Sequence, residues 1–207
     1  MLRFWMLPGL ALSLLFSVTI GLVNARPYQN ANLHRVVDTL FTCSPLCWQN
    51  IRPGVTHISE IQFMLSRHAW VEDVSYTPNA SQDNGLLTWT WRNVADTFIN
   101  PAREGQASVR DGLVQWVRIP TRFAFGDFWL TPGQPQTGQT LSVFQPARYV
   151  HHYVAYDASG WQVRYGMPCA WGPDDLWRTR VDIWLGGAGS VPMPDYQHPS
   201  RAECAVR

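Results

Sequence analysis

The chain is predicted to be an α+β protein in which helices cover one face of an antiparallel sheet and leave the other face available. Three observations carry that expectation. Beyond Thr56, apolar residues fall at Ile58, Ile61, Met64, Leu65 and Ala69, the three-and-four spacing of a helix that buries one side. The period then changes to two, with Trp70, Glu72, Val74 and Tyr76 alternating, and alternation returns at Leu87, Trp89 and Trp91. Asp111-Gly112 separates two further strand-like runs, Ala107 to Arg110 and Leu113 to Ile119, and is the dipeptide that a two-residue hairpin turn favours.

At the start of the chain, Met1 to Arg3 is short and basic, Phe4 to Val23 is apolar apart from Ser and Thr, and Val23-Asn24-Ala25 has the small residues of a cleavage site. The expectation is a signal peptide over residues 1–25. An uncleaved membrane anchor through residues 4–23 competes with it, because about 20 apolar residues suffice to cross a bilayer. Either way the body is expected to be extracytoplasmic, secreted or anchored by the N-terminal helix, with the membrane touched only through residues 4–23 if these are retained. Residues 26–47 form a polar lead with Leu33, Val36, Val37, Leu40 and Phe41 at helical spacing, then a cysteine pair around a Ser44-Pro45 turn.

A first α+β repeat is expected over residues 48–120. Pro53-Gly54 supplies its turn, Thr56 its helix cap, and a helix from His57 to His68 precedes the strands. A second repeat, residues 121–186, follows the same order with a short helical segment, Phe125 to Leu130, closed by Thr131-Pro132-Gly133. A hairpin of Arg148 to Tyr156 and Trp161 to Tyr165 turns across Asp157 to Gly160, and Arg180 to Leu185 closes the unit. Residues 187–207 form a Pro-containing tail without periodicity. The architecture expected is thus two tandem helix-plus-antiparallel-strand repeats after the N-terminal signal or anchor helix.

Composition narrows the function. Only 15 % of the residues are charged and 13 % are aromatic, with 11 tryptophans, the make-up of a folded chain with a real core. Arginine is the sole basic side chain besides histidine, and the formal net charge is +1. With no basic run anywhere, nucleic acid is excluded as an expected partner.

Each chemically suggestive group has a plainer structural reading. Cys43 and Cys47 have three intervening residues, not the two of a thioredoxin-like motif, so a structural disulfide is expected. Cys43–Cys47 and Cys169–Cys204 is the pairing expected of the three that four cysteines allow. His151 and His152, adjacent in a strand, point to opposite faces and cannot share one metal ion. Asp174-Asp175 after Gly172-Pro173 suits a helix cap or turn, and Gly187 to Ser190 lacks the strand-to-helix context of a nucleophile elbow. No catalytic residue, metal site or cofactor is expected. Trp89, Trp91, Trp116, Trp161 and Trp184 lie on predicted strands. They are either core under the helices or an aromatic binding face for a protein or a glycan.

Pro53-Gly54-Val55-Thr56 before an apolar helix, Gly133-Gln134-Pro135 in the second half and the paired strands resemble the fold shared by small outer-membrane assembly lipoproteins and secreted β-lactamase inhibitor proteins. Cys43, Cys47, Trp48, Pro53-Gly54 and Thr56 also resemble the pattern of a group of bacterial exported proteins. The likeness covers roughly residues 47–185. The chain departs from the named groups in lacking the lipoprotein cysteine and in ending its first helix with His68-Ala69-Trp70. The resemblance implies a non-catalytic module whose open sheet face binds another protein at the cell envelope. A carbohydrate or envelope polymer held on a tryptophan-lined face is the alternative, and a hydrolase is the distant one.

Overall fold

The apolar stripe after Pro53-Gly54 folds as a helix, and the alternating stretches fold as strands of one antiparallel sheet. The structure is a computed structural model that describes residues 9, 12–20, 30–40, 47–79, 83–94, 97–131, 133–143, 149–155, 161–169, 171–172, 174–187, 194–197 and 204. Helices α1 (Ala31–Leu40) and α2 (Ile58–Ser66) precede strands β1 (Val71–Pro78), β2 (Gly85–Trp91), β3 (Gly105–Arg110) and β4 (Leu113–Ala124). Helix α3 (Phe125–Leu130) leads to β5 (Thr137–Val143), β6 (Tyr149–Ala155) and β7 (Trp161–Pro168), and helix α4 (Asp175–Arg178) to β8 (Arg180–Gly186). The sheet has 8 strands in the order β1-β2-β3-β4-β8-β7-β6-β5, so the mixed α+β class is as expected.

Ile61 and Leu65 of α2 are buried. Each such side chain contributes about 1.5–3 kcal/mol relative to an exposed one. The cap differs from expectation. Thr56 Oγ1 accepts the Arg52 N–H at 2.8 Å and closes the Pro53-Gly54 turn, so it is not free to cap the helix. The His57 ring instead accepts from the Ser59 N–H, and the helix runs Ile58–Ser66 where His57 to His68 was expected. Leu33 and Val36 of α1, Phe125 and Phe128 of α3 and Leu176 of α4 join the same core. Leu87, Trp89, Val117, Ile119, Trp161 and Ile183 meet them from one face of the sheet.

The β3–β4 hairpin turns on Asp111 (φ 53°) and Gly112 (φ 74°), the double positive φ of a type I′ turn. The Gly112 carbonyl accepts the Ile58 N–H at 2.8 Å, which ties the turn to the first residue of α2. Strand β4 outruns its expected end at Ile119 and reaches Ala124 over 12 residues. Pro120 is tolerated there because its pairing with β8 becomes irregular between Pro120 and Ala124. The Pro120 carbonyl accepts the Asn100 N–H at 3.0 Å and the Arg122 N–H donates to Phe98 at 2.8 Å, so residues 98–100 prolong the line of β3.

Strand β5 was not expected. Its TGQTLSV sequence has few apolar residues, as suits a strand at the edge of the sheet. Part of the region expected to be a tail without periodicity guards that edge. Gly138 N–H donates to Pro194 at 2.9 Å and Tyr196 N–H to Gln136 at 3.1 Å. The Tyr196 ring packs on Trp129 and His152, and burial pushes its phenol up to about 12, with a Tyr165 hydrogen bond pulling the other way. Cys169 and Cys204 form the expected disulfide, with Cα atoms 5.5 Å apart. Cys47 is disulfide-bonded too. Its expected partner Cys43, the Ser44-Pro45 turn and the Asp157 to Gly160 turn lie outside the described residues. Residues 12–20 are helical, with Leu12, Phe16 and Ile20 exposed. Among the described residues no helix is long and apolar enough to cross a membrane.

The hairpin yields a stability prediction. A Cβ on Gly112 would stand 2.7 Å from His57 Nε2, and a β-branched residue also resists positive φ. Gly112→Val is expected to lower the unfolding free energy by about 1–3 kcal/mol in urea titrations. An unchanged midpoint would mean that the turn carries no such constraint.

Candidate functional site

Alternation along the strands sends neighbouring side chains to opposite faces, and this divides the tryptophans that were expected to share one binding face. Trp89, Trp91 and Trp161 are 1 %, 6 % and 1 % exposed and belong to the helix-covered core. The reason is their register with Leu87 and Leu185, together with Trp48, whose ring stacks on Trp89 at 5.8 Å. Trp116 and Trp184 lie on the other face, with ring centroids 4.4 Å apart. The five therefore do not form one platform.

None of the described helices lies over that second face. Its centre is set by register: Arg118 stands opposite Trp184, Trp184 opposite Gln162, Asp182 opposite Arg164, and Arg164 opposite Tyr153. All of these side chains except Gln162 line a cleft of about 480 Å³ that also reaches Arg103, Tyr149, His151 and Arg180. Gly166 forms part of its floor. A Cβ there would come within 3.0 Å of His151 Nδ1, so a side chain would crowd the ring that borders the cleft. Leu141, paired with His151, stands exposed at the rim.

Three arginines on this face are held differently. Arg103 holds Asp182 by both oxygens, at 2.6 and 2.7 Å, while Arg118 Nε stands 3.6 Å from the same carboxylate. Burial pushes the Asp182 carboxyl up, against the opposing pull of Arg103 and Arg118. Burial likewise draws the Arg118 guanidinium down, and Asp182 opposes that shift. The pair thus spends much of its attraction on desolvation, and a charged group of this kind is weak support for the fold. Arg164 has no carboxylate partner among the described residues. Its guanidinium lies 3.8 Å from the Trp184 ring centroid and 4.7 Å from that of Tyr153, and its Nε and Nη2 donate to Gln162 Oε1 at 3.1 and 2.9 Å. Aromatic contacts on a guanidinium are favourable and fix its plane without neutralising its charge.

The remaining candidate groups fall apart geometrically. His151 lines the cleft, whereas His152 is buried on the opposite face, where Nδ1 is 2.7 Å from Thr140 Oγ1. Asp174 is the N-cap residue of α4, and Asp175 accepts from the Gly172 N–H. Asp175 is used locally, whereas the Asp174 side chain makes no cap hydrogen bond. Most of the Gly187 to Ser190 stretch lies outside the described residues. Arg164, Tyr153 and Asp182 were missed as site residues, although the alternation of Trp161, Val163 and Tyr165 with Gln162 and Arg164 already places the latter pair on the open side.

No protein-family model, curated protein or solved structure matches this chain.

Removing the acid tests that geometry. Asp182→Ala leaves Arg103 and Arg118 facing each other without a carboxylate. Since Arg103 is 43 % exposed, the expected loss is about 1–2 kcal/mol in urea titrations, below the 3–5 kcal/mol of a fully buried pair. A loss as large as that upper range would show that the face is a closed interior.

Proposed function

We propose that the protein is an exported, non-catalytic module that docks a protein partner on the open face of its sheet. The observation that carries this reading is the clustering of Trp184, Tyr153, Tyr149 and Arg164 around one cleft, with Trp116 packed against Trp184 beside it, on a face that none of the described helices covers. Tryptophan, tyrosine and arginine are the side chains that dominate binding energy at protein interfaces, and prior stacking lowers the ordering cost of using them.

The glycan reading is less well supported. Sugar stacking needs a bare aromatic face, and Trp184 already carries Arg164 over its ring, while Trp116 packs against it. The two-repeat reading is supported by the strand order, in which two four-strand runs meet through their last members, β4 and β8. Export rests on the N-terminal sequence pattern and on the helical residues 12–20, whose apolar side chains the folded body does not bury.

A photo-crosslinking amino acid placed at Tyr149, 38 % exposed on the open face, is expected to capture a discrete envelope protein in the native host. The same group at Phe63, 55 % exposed on α2, is expected to capture none. Leu141→Asp at the rim should abolish the Tyr149 adduct while leaving the protein folded. Equal labelling from both positions, or no adduct at Tyr149, would defeat the docking reading.

A further inference from the structure

The cleft has a charge asymmetry that the chain as a whole does not. The full sequence has 16 basic residues against 15 acidic ones, yet Arg103, Arg118, Arg164 and Arg180 border the cleft against Asp182 alone. Asp182 is already engaged by Arg103, which leaves Arg164 as a half-buried cation whose fork is held by rings and by a neutral amide. Gln162 occupies the Nε side of that fork. Nη1 has no hydrogen-bond partner among the described residues, so the head of the guanidinium, Nη1 with Nη2, is left for a ligand. A planar fork presented head-on is matched by a carboxylate, which takes two parallel N–H donors.

Resting on the docking reading above, we propose that the partner seats an aspartate or glutamate side chain on Arg164. In this arrangement the acid enters the cleft between Tyr149 and Trp184 and accepts from Nη1 and Nη2 of Arg164, while Arg118 and Arg180 add attraction from the sides. An apolar neighbour of that acid then rests against exposed Leu141. The occupant is a single acidic side chain within a protein surface, not a polyanion. A cleft of about 480 Å³ admits one or two side chains, and the part of the Arg164 fork left open by Gln162 has room for one carboxylate.

The test is an NMR titration of the full-length protein with N-acetyl-glutamate N-methylamide, its glutamine counterpart and inorganic phosphate. The Trp184 indole N–H and the Arg164 Nε–H resonances are the reporters. The glutamate probe is expected to shift both saturably in the millimolar range, as a small fragment does, and the glutamine probe to bind at least about tenfold more weakly. Arg164→Gln should lose the glutamate response at Trp184, with spectral changes from the substitution itself confined to the residues that touch Arg164. Arg164→Lys should recover only part of it, because an ammonium keeps the charge but not the fork. Equal shifts from glutamate and glutamine, retention of binding in Arg164→Gln, or tighter binding of phosphate would each overturn the proposal. Its failure is separable from that of the docking reading. A Tyr149 crosslink that persists in Arg164→Gln leaves docking standing without an acidic anchor, whereas a glutamate response with no Tyr149 crosslink leaves a small-anion subsite and removes the protein partner.

Discussion

Everything else in the molecule depends on the pairing of β4 with β8. Val117 stands opposite Leu185 and Ile119 opposite Ile183, and these fully buried residues lie under the helices from both halves of the chain. Thr121 adds a side-chain link, donating its hydroxyl to the Val181 carbonyl at 2.6 Å. This seam makes one continuous sheet out of two runs of strands, and it gives them a common apolar side. Once helices occupy that side, the opposite side of the same strands has no partner within the described chain. The open face is therefore a consequence of the core, not a separate feature.

The residues on the two sides follow the same logic in opposite senses. Trp161, Val163 and Tyr165 fill space beneath α3, while Gln162 and Arg164, one position away along β7, meet Tyr153 and Trp184. A partly buried arginine that no carboxylate among the described residues pairs with is costly to keep in the free protein, and Asp182, opposite it in the sheet, is pushed toward its neutral form by burial. Neither group improves the fold as a pair of apolar side chains would. The presence of Arg164 in the middle of a sheet face is understandable if a ligand completes the hydrogen bonding of its guanidinium head.

Much of this fold was legible in the sequence for local reasons. The Asp111-Gly112 turn specifies its own conformation, the α2 stripe is amphipathic at helical spacing, and Phe125–Leu130 is bounded by the proline and glycine that follow it. What was not legible depends on contacts far along the chain. Thr56 lost the capping role to His57 because of its bond to Arg52, and β5 is weakly apolar because it is an edge that residues near Tyr196 cover. The tryptophans show the limit most clearly. Composition marks them all as large and aromatic, but only register decides that Trp89 and Trp161 face the core while Trp116 and Trp184 face outward. The arginine at the centre of the cleft was passed over because a single charged residue within a strand carries no motif.

One side of the sheet is sealed beneath the helices and the other is open. Hydroxyl-radical footprinting read by mass spectrometry tests this at single side chains on the folded protein. Tyr149, Tyr153 and Leu141 are expected to be oxidised readily, with Trp116 and Trp184 labelled at an intermediate level and Trp89, Trp161 and Phe128 protected until unfolding. Protection of Tyr149 and Tyr153 together with ready oxidation of Trp89 or Trp161 would mean that the faces have been assigned the wrong way round, and the proposed docking site would fall with them.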